Sequence, residues 1–154
     1  MARAPAALPA LAVAAAALAA CGPDRPPVLN IPEPTPKGLE AVRALDAPFN
    51  AGDPAAGRQA FVLCIDCHDF TPEGMPGKGP GLQDIFGAPA AAKSNWVYSD
   101  ALRASGFVWD ARRLDGWIFN PHEALPGTTM GFIGIRSDEK RRNLIAYLAA
   151  VSAK

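Results

Sequence analysis

The sequence predicts one all-α domain, with four or five short helices, two long irregular loops and no convincing strand. Three observations lead there. Helix-start residues stand in front of short apolar periodic stretches at several points. The stretches between them are rich in Gly and Pro and show no period. No segment alternates polar and apolar residues as a half-buried strand would. Loops this long are unusual in a compact domain unless something holds them, so the pattern asks for a large apolar object at its centre. The chain has 154 residues, room for a single domain of ordinary size. Its 15 Lys plus Arg balance 15 Asp plus Glu, which argues against a nucleic-acid partner, because that binding leans on clustered cations.

Residues 1–20 read as a signal peptide of the lipoprotein type. Arg3 is followed by an apolar run from Ala4 to Ala20, mostly Ala with Leu8, Leu11, Val13 and Leu18. A short basic start and an apolar core fit an export leader. Ala contributes little to membrane insertion and the run is short, which argues against a spanning helix. Leu18-Ala19-Ala20-Cys21-Gly22 resembles the bacterial lipobox, in which the Cys is lipidated and opens the mature chain. The alternative is a soluble periplasmic protein, cut at Ala17-Leu18-Ala19 as an ordinary small-x-small site. Both readings place the mature chain outside the cytoplasm, and the first holds it to a membrane through Cys21.

Residues 21–48 read as the lipidated Cys and a Pro-rich tether. Six prolines fall between Gly22 and Pro36, a composition that favours extended, semi-rigid polyproline geometry. Lys37 to Pro48 fits either a short helix or more linker. The folded domain is read as 49–154. Asp53-Pro54 is a helix start, with Asp as cap and Pro in the first turn. Gly57, Phe61, Cys64 and His68 follow at spacings of four, three and four, which puts them on one face of that helix. Phe70 to Lys93 is irregular. Ser99 caps a short helix closed by Gly106, and Asp110 caps another through Leu114, Trp117 and Ile118, ended by Asn120-Pro121. Pro121 to Ile135 is again loop. The last helix, from about Asp138 to Val151, carries the stripe Leu144, Ile145, Tyr147, Leu148 and Val151, opposite Glu139, Arg142 and Asn143. Lys140-Arg141-Arg142 reads as a solvated helix face.

The chemistry is concentrated in Leu63-Cys-Ile-Asp-Cys-His-Asp69. A structural zinc needs four ligands, and beyond this motif there remain only Cys21, in the leader region, and a solitary His122. A dithiol oxidoreductase places its C-x-x-C near a βαβ pattern, and none flanks this one. C-x-x-C-H attaches haem covalently, with both thiols bonded to the porphyrin vinyl groups and the His as axial ligand. That reading supplies the missing apolar object. It also settles the three cysteines: Cys64 and Cys67 for haem, Cys21 for lipid. For the sixth position the candidates are Met75, His122 and Met130. Met75 is seven residues past His68, too near to reach the opposite side easily. Met130 lies in Pro126-Gly-Thr-Thr-Met130, a rigid turn that would present a thioether, and is the candidate chosen.

From about Gly52 to Ala150 the chain resembles a class I cytochrome c of the mitochondrial type and its bacterial relatives. The resemblance is carried by the C-x-x-C-H, Gly79-Pro80-Gly81-Leu82, Tyr98-Ser-Asp-Ala101 with Gly106 and Trp109, Asn120-Pro121 with Pro126-Gly-Thr-Thr-Met-Gly-Phe132, and Leu144-Ile-Ala-Tyr-Leu148. It implies the class I cytochrome c fold, with first and last helices crossing at Gly57, Phe61 and Tyr147 around one covalent haem c. It implies that the Pro80 carbonyl accepts a hydrogen bond from His68. It further implies that Leu82 lies in the haem turn, that Tyr98, Trp109 and Thr128 bond near the inner propionate, and that His68 and Met130 ligate the iron. Trp96 and Phe132 are expected at the haem edge and Phe107 in ordinary core. Three positions depart from the family. Ala88 stands where an Arg is common, with Lys93 a possible replacement. Trp117 stands for the Tyr facing the Met, and Thr129 for a Lys.

The expected function is electron transfer without substrate turnover, on the periplasmic side of a bacterial membrane. The donor would be a quinol-oxidising complex or a dehydrogenase, and the acceptor an oxidase or reductase. The alternative is a dedicated cytochrome subunit of a periplasmic dehydrogenase or reductase complex. A third reading, a haem enzyme or gas sensor with an open sixth position, is disfavoured by Met130.

Overall fold

The computed structural model describes residues 31–75 and 77–153, together with Met1. The leader and Cys21 lie outside the described residues. Among the described residues there are six α-helices: α1 (Pro36–Arg43), α2 (Pro54–Ala60), α3 (Asp100–Ala104), α4 (Ala111–Phe119), α5 (Pro121–Ala124) and α6 (Asp138–Ser152). Single 3-10 turns cover Phe49–Ala51 and Phe61–Leu63. Among the described residues the only β pairing is two isolated bridges, Met75 with Gly79 and Pro89 with Val108.

The caps read from the sequence start the helices. Asp53 accepts from the Ala55 N–H at 2.8 Å, Ser99 from Leu102 at 3.2 Å and Asp110 from Arg113 at 2.7 Å. Each satisfies an N–H that has no partner inside its helix. Ser137 caps α6 in the same way, accepting from Lys140 at 3.3 Å.

The core is the crossing of α2 and α6. A Cβ on Gly57 would lie 2.7 Å from the Tyr147 Cβ and closer still to the Asn143 carbonyl, so the two backbones meet where only glycine fits. Phe61, Phe70 and Tyr147 pack around this contact with ring centres 4.7–5.8 Å apart. Leu144, Ile145 and Leu148 are buried beside them. The Asn143 side chain turns inward and accepts from the Asp53 N–H at 2.9 Å. The expected solvated face of α6 is therefore interrupted by Asn143, and also by Arg141, of which only 6% is exposed.

Three further details depart from the sequence reading. Among the described residues, packing extends back from Phe49 to Ile31. Thr35 caps α1, Val42 is buried against Ala146, Ala149 and Ala150 of α6, and the Tyr147 hydroxyl donates to the Pro32 carbonyl at 2.8 Å. Arg58 of α2 adds a bond to the Ile31 carbonyl and an ion pair to Glu33, both at 3.0 Å. Second, Asn120-Pro121 ends α4 but also opens α5: the Asn120 side chain accepts from His122 at 3.1 Å, and proline is tolerated in a first turn. Third, α2 ends at Ala60, and Cys64 to His68 continue as a tight turn in which the His68 N–H donates to the Cys64 carbonyl at 2.8 Å.

Candidate haem site

A cavity of about 320 Å³ opens between the motif turn, the 79–93 loop, α4 and the 128–132 loop. Its walls are mainly apolar. Leu114, Trp117 and Ile118 come from α4, Leu144 and Leu148 from α6, and Leu82, Ile85 and Pro89 from the loop. Residues of the α4 and α6 stripes thus face the chamber as well as each other, a distinction periodicity cannot make because a core and a cofactor present the same apolar demand.

The motif residues line one part of this chamber. Cys64, Cys67 and His68 are all on its wall, and neither cysteine is in a disulfide. Burial pushes the Cys64 thiol up to about 12, with the neighbouring Cys67 adding to the effect. A redox dithiol needs the opposite, a thiol whose proton leaves easily. As a thioether the sulfur has no proton to lose, and the same burial carries no electrostatic cost. His68 Nδ1 lies 2.8 Å from the Pro80 carbonyl. A carbonyl only accepts, so Nδ1 carries the proton and Nε2 keeps its lone pair. Desolvation lowers the His68 pKa, partly offset by that bond to Pro80, and so favours the neutral ring that a metal ligand requires.

Met130 reaches the same chamber from the 125–137 loop. Its sulfur is 3.0 Å from the Trp117 indole nitrogen, whose N–H donates to it. Its own N–H donates to the buried Thr128 hydroxyl at 3.3 Å. His122 is exposed on α5, and neither it nor Met75 is on the cavity wall. Trp117 sits edge-on to Trp109, ring centres 5.0 Å apart, and Trp109 edge-on to Phe107 at 4.7 Å. Pro80, Leu82, Tyr98, Trp109, Thr128, Trp96 and Phe132 also line the cavity, whereas Phe107 lies behind Trp109.

The departures from the family lie on this wall too. Ala88 brings no charge to it. Lys93 is there, but its ammonium donates to the Gln83 carbonyl at 2.9 Å and is committed to the loop. Burial raises the pKa of the Tyr98 phenol, so it remains a neutral donor.

The donor set fits haem c: an apolar chamber, two thiols beside a neutral imidazole with a free nitrogen, and a thioether from a separate loop. The reading from sequence missed Arg141, which braces that loop from outside the chamber. A run of three cations does not reveal which member has partners 26 residues away.

Comparisons with known proteins show the family. No protein-family model matches the chain. Cytochrome c2 of Rhodomicrobium vannielii is 40% identical over 101 residues, covering 66% of this chain and 81% of that protein. Cytochrome c2 of Rhodoblastus acidophilus is 37% identical over 103 residues, covering 67% and 96%. The solved structure of cytochrome cH from Methylobacterium extorquens superposes with a TM-score of 0.59 at 42% identity, over 63% of this chain and 97% of that one. With two cytochromes c2 matched over most of their length and a cytochrome cH sharing its helical frame, this chain belongs to the class I cytochromes c, single-haem electron carriers with one covalent haem c.

Proposed function

We propose that the chain is a His68/Met130-ligated cytochrome, held by a lipid on Cys21 at the periplasmic face of a bacterial membrane. There it passes electrons from a quinol-oxidising complex or a dehydrogenase to an oxidase or reductase. The observation that carries the ligation is the meeting of Cys64, Cys67, His68 and Met130 in one apolar chamber. When bound, the haem iron supplies a one-electron couple between Fe(II) and Fe(III). The protein's part would be to hold the His68 imidazole and the Met130 thioether in place through that change. Pro80 orients the imidazole, Trp117 orients the thioether, and the apolar wall excludes water that would compete for either position. A thioether favours Fe(II) and raises the potential above that of two imidazoles. Cys64 and Cys67 act as anchors, and Tyr98, Trp109 and Thr128 as donors toward the propionates.

The lipid anchor rests on the lipobox-like Leu18 to Gly22 and the Pro-rich stretch after it. Among the described residues no helix is long and apolar enough to cross a membrane. The ligation is tested by purifying Met130→Ala holoprotein. The wild type is expected to be low-spin and six-coordinate, and the variant to lose that ferric spectrum. An unchanged ferric spectrum overturns the assignment.

One observation favours a second reading, a dedicated subunit of a periplasmic dehydrogenase or reductase complex. From residue 49 onward 11 cations balance 11 acidic residues, and Thr129 brings no charge beside Met130. Long-range steering toward exchangeable partners is weak for such a surface. Isolation of a catalytic subunit in stoichiometric amount with the chain would favour this reading over the shuttle.

A further inference from the structure

In the run Lys140-Arg141-Arg142, Arg141 alone is buried. Its guanidinium uses all three nitrogens. Nε donates to Asp115 of α4 at 2.7 Å and Nη2 to Asp138 of α6 at 2.6 Å. Nη1 donates to the carbonyls of Ile135 and Arg136, each at 3.0 Å. One side chain therefore joins α4, the first turn of α6 and the segment that leads out from Met130. That segment is pinned to α4 again, because the Ile135 N–H donates to the Ile118 carbonyl at 2.8 Å. The Arg136 guanidinium also lies 4.3 Å over the Phe119 ring. Asp115, Ile118 and Phe119 belong to the same helix as Trp117, whose N–H reaches the Met130 sulfur.

We infer that Arg141 is a positioning residue for Met130. Its guanidinium fixes the 131–137 loop against α4 and so holds the thioether at the cavity, working with Trp117 from the other end of the loop. The inference rests on the reading of Met130 as iron ligand and adds what keeps it in place. A charged, multiply bonded donor suits this task, since hydrogen bonds to charged groups are stronger than neutral ones. With the clasp cut, the loop opens more often, and an external ligand binds in proportion to the open fraction. A side chain that served only overall stability would not change that fraction selectively.

The test uses ferric holoprotein titrated with imidazole, together with the thioether-to-iron charge-transfer absorption as the signature of Met130 ligation. Arg141→Lys is expected to raise apparent imidazole affinity on the order of ten-fold, from the lost bonds to a charged group. Asp115→Asn, at a half-exposed partner and therefore gentler on folding, is expected to shift it in the same direction by less. Val42→Ala, in the α1–α6 contact and not among the clasp partners, is expected to lower the unfolding midpoint and leave imidazole affinity unchanged. Arg141→Lys and Asp115→Asn binding imidazole like the wild type would overturn the inference, and so would an equal shift in Val42→Ala. A wild type without the charge-transfer absorption would overturn the ligation reading and this inference with it. A wild type that shows the absorption, with unresponsive Arg141 and Asp115 variants, overturns this inference alone.

Discussion

Trp117 fixes the polarity of its contact with Met130. An indole N–H donates and has no lone pair to offer in return, so the sulfur 3.0 Å away is always the acceptor. Under the proposed ligation this draws electron density from the thioether and favours Fe(II). Trp117→Phe keeps an aromatic ring and removes the donor, so the potential should fall. A hydrogen bond of about 0.5–1 kcal/mol corresponds to roughly 20–45 mV for a one-electron couple. Potentiometric titration of the two proteins checks this, and an unchanged or higher potential refutes it. At this scale the sequence is informative where chemistry is intrinsic to the residue type. Cys64, Cys67, His68 and Met130 carry donor atoms that few other residues supply, and their spacing limits what they can do. Arg141 and Asn143 carry no such mark. Their roles depend on Asp115, Ile135 and Asp53, which tertiary packing brings to them.

Among the elements, the α2–α6 crossing is the most extensive helix–helix contact. Gly57→Ala would force a methyl group into the Asn143 backbone and to 2.7 Å from the Tyr147 Cβ. The expected cost is about 1–3 kcal/mol, typical of overpacking, read as a lower guanidinium midpoint with the haem still attached. Unaltered stability would show that the helices do not cross at Gly57. Capped and periodic helices such as α4 and α6 are legible from sequence because cap and stripe agree. α5 is not, because a proline that stops one helix can open the next. α1 is obscured in a different way. Thr35 and Pro36 form a good start, but the surrounding prolines suggest linker, and only the face of Ala146, Ala149 and Ala150 gives Val42 somewhere to pack. The turn from Cys64 to His68 departs from the helical period read from its spacing, because the motif leaves α2 through a 3-10 turn before entering the cavity wall.

At the level of the whole molecule, the proposed anchor and the folded domain are separate devices. Cys21→Ser is expected to move the protein from the membrane fraction to the soluble periplasmic fraction, with an unchanged visible spectrum. Continued sedimentation with membranes after this change would rule out Cys21 as the attachment point. The docking of residues 31–48 then sets a length. A tether from Cys21 to Phe49 spans 28 residue steps, up to about 100 Å fully extended, whereas one from Cys21 to Ile31 spans ten, up to about 36 Å. Arg58 and Tyr147 hold Ile31, Pro32 and Glu33, and under the proposed anchoring this would limit reach. A leash about a third as long sweeps a far smaller volume, and a redox centre inside that volume meets the haem more often. If Cys21 is the attachment point, a partner farther from the bilayer than the short leash plus the domain itself would be out of range. Under the proposed anchoring, the grip on Ile31, Pro32 and Glu33 would decide how tall a partner can be.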